Sequence, residues 1–382
     1  MARRQARRSP LPRVAAAAAL AMGAVVVREL ARPRPDERAR LIDWAAVRRT
    51  ALRASGETGP THLVFSAADL GRQYDEMAEQ LRPWIGEALG VDMYTEPFPR
   101  FQVVDRRDWV DVNIELFQNL LRPVLRVEEM VPASALTDIG RAGLSRYLGV
   151  LLGFLSQRVL GQYDPVLLAT DAAGPTALYL VEPNIERWEA NASVPSTAVR
   201  QWLVLHECTH AWQFEAHPWL REHMNGLIRE LIANRVFTAE KPSGLEVLRA
   251  LTIGARSQWA AVNQIQAVMS LLEGFSNFMM RRVGRAHLEH FDVIDEEFQR
   301  RQGRRNPAER AFFKITGLDL KMQQYVLGER FCDSVLEAAG MPALMRVWDS
   351  PEVLPTLAEI RDPHLWVART AQVGAKAVAK SG

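Results

Sequence analysis

Residues 199–214 read VRQWLVLHECTHAWQF and contain the pattern H-E-x-x-H. An unbroken apolar run at 202–205 leads into this pattern and predicts a largely buried helix. On that helix His206 and His210 lie one turn apart on the same face, so both imidazoles can bind one zinc ion. Glu207 stands beside them and can act as the general base toward a water that the metal activates.

A zinc site of this kind needs a third protein ligand, and the sequence leaves two candidates. The longer pattern H-E-x-x-H-x-x-G-x-x-H fails, because Gln213 stands in place of its glycine and Ala216 in place of its third histidine. Glu230 and Glu273 remain, 20 and 63 residues after His210. We expect both on helices, from which a carboxylate can reach back to the first helix.

Several features favour Glu273 as the third ligand. Gly274 follows it and, lacking a side chain, permits a close approach of another element. Asn277, one helical turn further on, can accept a hydrogen bond from a ligating imidazole and so orient it. The segment around Glu273 is apolar, so an acid there without a cation would carry a large desolvation cost. Glu230 instead neighbours Arg229, in a segment where solvated charges are common.

The apolar spacing along the rest of the chain predicts a mainly α fold with a small β-sheet. Helices are expected near 41–54, 68–89, 108–125 and 136–158 and again after 196, and short strands at 61–65, 101–104 and 176–181. The strand at 176–181 is expected beside the H-E-x-x-H helix, where an extended peptide could add as a further strand. The alternative is an ordinary buried strand, which fits Tyr179 and Val181 better.

Composition excludes several classes of protein. Of the 382 residues, 48% are hydrophobic and 24% charged, which is typical of a globular chain and not of a disordered, collagen-like or multi-span membrane protein. The net charge of +2 is too balanced for a dedicated nucleic-acid binder. With only two cysteines, a disulfide framework is excluded and a reducing compartment is the simpler expectation.

The N-terminal segment differs from the remainder. Five arginines fall within the first 13 residues and precede an uncharged apolar run at 14–27, which is short for a membrane span. This pattern is typical of a signal peptide or tether, although an Ala-rich surface helix fits it as well. We expect a cytoplasmic protein that this segment could tether or export, with membrane contact only through residues 1–31. The predicted organisation is a tail and linker at 1–40, one domain at 41–372 and a C-terminal tail at 373–382.

Further stretches of the chain resemble a known family. They are IDW at 42–44, LGQYD at 160–164, LVEPN at 180–184, HPWLR at 217–221, MSLLEG at 269–274, LDLKM at 318–322 with QY at 324–325, and SPEVLP at 350–355. Together with the H-E-x-x-H helix, they resemble the type 2 zincin-like metallopeptidases of actinobacteria. These proteins are also labelled as deazaflavin coenzyme F-420 biosynthesis-associated. The resemblance covers residues 41–366.

The resemblance implies one helix-rich zincin-like domain that holds a single zinc ion. The residues that it carries over are His206 and His210 as ligands, Glu207 as the catalytic base and Glu273 as the third ligand, a gluzincin-like set. In the family pattern the helix of the third ligand reads Glu-Gly-His-x-Asp. This chain has Phe275 in place of the histidine and Asn277 in place of the aspartate. Asn277 brings no negative charge that would raise the basicity of an imidazole.

We therefore expect a zinc-dependent metallopeptidase acting on a peptide or protein. Tyr325 and Arg330 are candidate donors for the oxyanion that forms during hydrolysis. The alternative is a zinc-stabilised binding or scaffold protein without turnover.

Overall fold

The computed structural model describes residues 34–38, 40–56, 66–93, 98–125, 132–163, 177–233, 244–303 and 318–381. The helices are α1 (Trp44–Ala54), α2 (Ala67–Leu89), α3 (Arg106–Leu125), α4 (Ala135–Ser156), α5 (Glu182–Glu189), α6 (Ser196–Glu215), α7 (Pro218–Ala233), α8 (Gly244–His287), α9 (Phe291–Gly303), α10 (Leu318–Ala339), α11 (Met341–Met345), α12 (Leu357–Arg361) and α13 (Pro363–Ser381). The strands are β1 (Arg34–Arg38), β2 (Arg100–Val104), β3 (Pro132–Ala133), β4 (Gly161–Tyr163) and β5 (Ala177–Val181).

The predicted fold class, mainly helical with a small sheet, is confirmed. Three of the predicted helices begin at side-chain caps, because Asp43, Ser66 and Ser134 each accept a hydrogen bond from a backbone N–H three residues on. The predicted strands at 101–104 and 176–181 correspond to β2 and β5. The strand expected at 61–65 lies outside the described residues.

The small sheet has the order β2-β5-β4. Strand β5 pairs in parallel with β2 and antiparallel with β4, so that Leu180 lies opposite both Val103 and Gly161. The expectation that a peptide adds to the strand at 176–181 is therefore wrong, because partners of this chain occupy both of its edges. Strand β4 lies against α6.

The described residues form regular secondary structure on both sides of the predicted domain bounds. Residues 34–38, expected to belong to the tail and linker, form β1, which pairs antiparallel with β3. At the other end α13 continues to Ser381 through the expected C-terminal tail. The apolar run at 14–27 lies outside the described residues. Among the described helices, none combines the length and apolar character needed to cross a membrane.

Helix α6, which carries the H-E-x-x-H pattern, packs against α2, α8 and β4. A buried ion-pair network anchors its first turns. Arg200 donates to Glu182 at 2.5 Å and to Glu189 at 2.6 Å, and Tyr74 donates to the fully buried Glu182 at 2.9 Å. Because a buried carboxylate is costly unless it is paired, this network holds α6 in place against α5 and α2.

Helices α8 and α10 cross at two glycines. A Cβ atom on Gly274 would overlap the backbone of Gly328 and Glu329, and one on Gly328 would lie 2.6 Å from the carbonyl carbon of Ser270. Only glycine fits at either position without moving a helix. The close approach that Gly274 was expected to permit therefore occurs, and α10 is the element that makes it.

Candidate metal centre

The structure brings together the three side chains that the sequence singled out as ligands. Nε2 of His206 and Nε2 of His210 lie 3.1 Å apart. Oε2 of Glu273, on α8, lies 3.8 Å from the first nitrogen and 3.5 Å from the second. The exposed fractions of the three side chains are 18%, 12% and 14%, so solvent can reach a largely enclosed cluster.

These distances fit a tetrahedral zinc ion. Ligand atoms about 2.0–2.1 Å from zinc lie about 3.3 Å from one another. The three observed separations, 3.1 to 3.8 Å, fall close to that value, and the two nitrogens and one carboxylate oxygen are ligands that zinc prefers. The convergence of three ligand atoms among the described residues therefore meets the requirement for a metal site.

The acidic surroundings change the pKa of His210. Burial lowers this pKa, but the hydrogen bond that the imidazole donates to Glu273 and the negative charges of Glu273 and Glu207 outweigh burial, so the net shift is upward. In the absence of a cation, the site thus favours a positive charge on the histidine. A bound metal ion would supply that charge instead.

Glu207 lies beside this cluster and is 4% exposed. Burial raises the pKa of Glu207 to about 7; the positive charge of His210 opposes the rise and the negative charge of Glu273 adds to it. Its Oε2 atom is buried and has no hydrogen-bond partner within the described part of the chain. A buried carboxylate with a free oxygen and a pKa near neutrality can exchange a proton with a reacting group.

Gly161 of β4 lies directly against Glu207. A Cβ atom at position 161 would stand 2.7 Å from Cδ of Glu207 and closer still to Oε1. The absence of a side chain at this position thus leaves the room that the carboxylate occupies. Our sequence reasoning missed Gly161, although it belongs to the LGQYD stretch that contributed to the family resemblance.

The described residues that contact the two imidazoles do not include Asn277, which was the expected partner. Nδ1 of His210 lies 2.8 Å from Oε1 of Gln213 and 3.3 Å from Oγ of Ser276, and Nδ1 of His206 lies 3.0 Å from Sδ of Met280. Among the described residues, neither imidazole hydrogen-bonds Asn277. Viewed along the axis of α8, Ser276 and Met280 lie to one side of Glu273, whereas Asn277 lies to the other side.

The remaining candidates lie elsewhere. Glu230 is exposed on α7, as expected for a solvated charge. Arg330 is exposed on α10, two residues beyond Gly328 and therefore on the opposite side of that helix from α8. It is not placed to donate to an oxyanion at this cluster. Tyr325 is part of α10, but its side chain lies outside the described residues, so its role stays a prediction.

A cavity of about 330 Å³ lies at the other side of α6. Its lining includes Trp212, Glu215 and Ala216 of this helix, with Trp348 from the turn after α11. At 3.6 residues per turn, Trp212 and Ala216 project away from the face that carries His210. This cavity is therefore separate from the ligand cluster.

Comparison with solved structures finds one similar chain from Chloroflexus aurantiacus, described as a candidate hydrolase with a novel fold. It is 38% identical, the match covers 87% of the present chain and 99% of that chain, and the TM-score is 0.65. The comparison with curated proteins gives no match. The sequence profile of the zincin-like metallopeptidases matches residues 42–367, which include the whole ligand cluster. The chain therefore belongs to the zincin-like metallopeptidase family.

Proposed function

We propose that the protein is a zinc-dependent hydrolase that cleaves peptide bonds. His206, His210 and Glu273 would hold the metal, and Glu207 would act as the general base. The observation that carries this proposal is the convergence of three ligand atoms beside a buried carboxylate with an unpartnered oxygen. Membership of a metallopeptidase family and the similarity to a candidate hydrolase support the same reaction class.

Zinc bound at this cluster would supply a Lewis acid that polarises a carbonyl and lowers the pKa of water. The protein's own contribution to proton transfer is Glu207. Burial raises the pKa of Glu207 to about 7 in the metal-free protein, and a bound cation beside it would lower this pKa. The ionised carboxylate could then take the proton of the attacking water and later give it to the leaving amine. Gly161 keeps the space around this carboxylate open, and the buried surroundings limit bulk water.

We place the substrate as an extended chain near β4. This strand is an outer strand of the described three-stranded sheet and touches Glu207 through Gly161. An extended peptide is commonly recognised by backbone hydrogen bonds to a neighbouring strand. The sequence-based hypothesis assigned this role to the strand at 176–181, whose edges are occupied.

The proposal is tested by metal analysis and hydrolysis with purified full-length protein. We expect about one zinc per chain, nearly complete loss of zinc in the His206→Ala, His210→Ala double variant, and hydrolysis of denatured proteins that a chelator abolishes. Glu207→Gln should keep the zinc and lose the hydrolysis, because glutamine preserves the shape but cannot accept the proton. Glu230→Gln, altered at an exposed position, serves as the matched control.

Two results would contradict the proposal in different ways. Full retention of zinc by the double variant would remove the metal site. Stoichiometric zinc without hydrolysis of any substrate in a broad panel would instead favour a zinc-stabilised binding protein.

A further inference from the structure

Gln213 makes two hydrogen bonds from a completely buried position on α6. Its Nε2 donates to the backbone oxygen of Leu272 at 3.0 Å, and its Oε1 lies 2.8 Å from Nδ1 of His210. The chemistry of the first partner settles which way the amide points. A backbone oxygen can only accept, so the amide nitrogen must face Leu272 and the amide oxygen must face the imidazole.

This orientation determines the form of the His210 ring. Because an amide oxygen can only accept, Nδ1 of His210 must carry the proton in this contact. A neutral imidazole with its proton on Nδ1 has its lone pair on Nε2. That atom is the one that lies 3.1 Å from Nε2 of His206 and 3.5 Å from the carboxylate of Glu273.

The same amide also joins the two helices that carry the ligands. Leu272 directly precedes Glu273 on α8, whereas Gln213 lies one turn after His210 on α6. One buried side chain therefore bridges a ligand on the first helix and the backbone beside a ligand on the second. Two further contacts to the Nδ1 atoms are weaker: Ser276 lies further from His210, at 3.3 Å, and the thioether of Met280 is a weak acceptor for His206.

We propose that Gln213 is a positioning residue of the metal centre. It selects the His210 form whose lone pair faces the point where the three ligand atoms converge, and it holds α6 against α8 at the level of Glu273. This role rests on the proposed function, since it concerns how zinc ligands are held. It also gives a reason for the glutamine at a position where the longer zincin pattern has glycine.

The test compares Gln213→Leu and Gln213→Glu with the wild-type protein. Zinc affinity is measured by competition with a chelator, and thermal unfolding of the metal-free proteins is recorded separately. We expect Gln213→Leu to lower zinc affinity about 10–100-fold, as is typical when a partner of a ligating histidine is lost. Gln213→Glu should recover part of that affinity, because a carboxylate can still accept from Nδ1. Ser276→Ala, which removes the longer contact to the same nitrogen, should cause a smaller loss.

A spectroscopic measurement on the metal-free wild-type protein tests the same claim directly. Long-range ¹H–¹⁵N correlation spectra, recorded at a pH where His210 is neutral and assigned with a His210→Gln variant, report which ring nitrogen carries the proton. We expect the proton on Nδ1 in the wild type and a mixture of both forms in Gln213→Leu.

Three outcomes would be decisive. A wild-type ring protonated on Nε2 would overturn the proposal, even if Gln213→Leu failed to fold. A lower melting temperature in Gln213→Leu with unchanged zinc affinity and an unchanged ring form would overturn it as well, since Gln213 would then be only a packing residue. Absence of zinc binding by the wild type would refute the proposed function, while the metal-free spectra would still decide the role of Gln213.

Discussion

Replacing Gly274 by alanine should destabilise the protein and weaken zinc binding together. A Cβ atom at this position would overlap backbone atoms of Gly328 and Glu329. The separations would be shorter than 3.0 Å, and real Cβ atoms essentially never come that close to another heavy atom. Backbone atoms cannot rotate away as a flexible side chain can. Helices α8 and α10 would therefore have to separate by roughly 1 Å to restore ordinary contact.

Two magnitudes follow from this separation. Overpacking of a well-packed interior costs about 1–3 kcal/mol, which corresponds to a fall in melting temperature of about 1–4 °C at this chain size. Zinc sites keep ligand distances to about 0.2 Å, so a shift of α8 by even part of 1 Å would displace the neighbouring Glu273 from the imidazoles. We expect zinc affinity to fall by at least about tenfold.

Thermal unfolding of metal-free protein and chelator competition measure the two effects. Gly143→Ala is the matched control, because Gly143 is exposed on α4 and an added Cβ would meet nothing within 4 Å. Removing an exposed helical glycine should leave zinc affinity unchanged and raise stability by about 0.5–1 kcal/mol. If Gly274→Ala equals the wild type in melting temperature and zinc affinity, the argument from close packing is wrong.

Four further predictions concern the metal centre and the start of the folded domain. Glu273→Gln should weaken zinc affinity by orders of magnitude while Glu230→Gln changes it little; the reverse result in chelator competition would exchange their roles. Gly161→Ala should reduce peptide hydrolysis with little loss of zinc, since the new methyl group displaces the carboxylate of Glu207; unchanged turnover would mean that this contact has no part in catalysis. Because burial raises the pKa of Glu207 from 4.5 to about 7, the folded state holds its proton to higher pH than the unfolded state, and metal-free protein should lose stability as pH rises through this interval. Thermal unfolding at pH 5 and pH 8 checks this, and Glu207→Gln should abolish that part of the loss. A fragment starting at residue 41 should remain soluble and bind zinc; an insoluble fragment would show that the first 40 residues, which include β1, are part of the fold.

Local geometry made the first part of the site predictable. The positions of His206, Glu207 and His210 relative to one another depend only on helical spacing, which short stretches of sequence determine. The apolar pattern likewise predicted the helices around residues 44–54, 67–89, 106–125 and 135–156 to within a few residues. Helix ends and faces are set by neighbours three or four positions away, so they are readable without knowledge of the fold.

The identity of the third ligand could be predicted only in part from local sequence. The sequence narrowed it to Glu230 and Glu273, and the apolar setting with a following glycine favoured the latter. Only the packing of α8 on α6 shows which carboxylate reaches the two imidazoles, because that depends on the relative position of helices separated by dozens of residues.

Other features were decided by tertiary structure alone. Asn277 was the expected partner of an imidazole, yet the rotation of α8 brings Ser276 and Met280 to that side, while Gln213 reaches His210 from its own helix. The strand at 177–181 was recognisable as a strand, but its central place became clear only from pairing with β2 and β4. Such contacts join residues far apart in the chain, and their geometry follows from how the whole core packs and not from any local pattern.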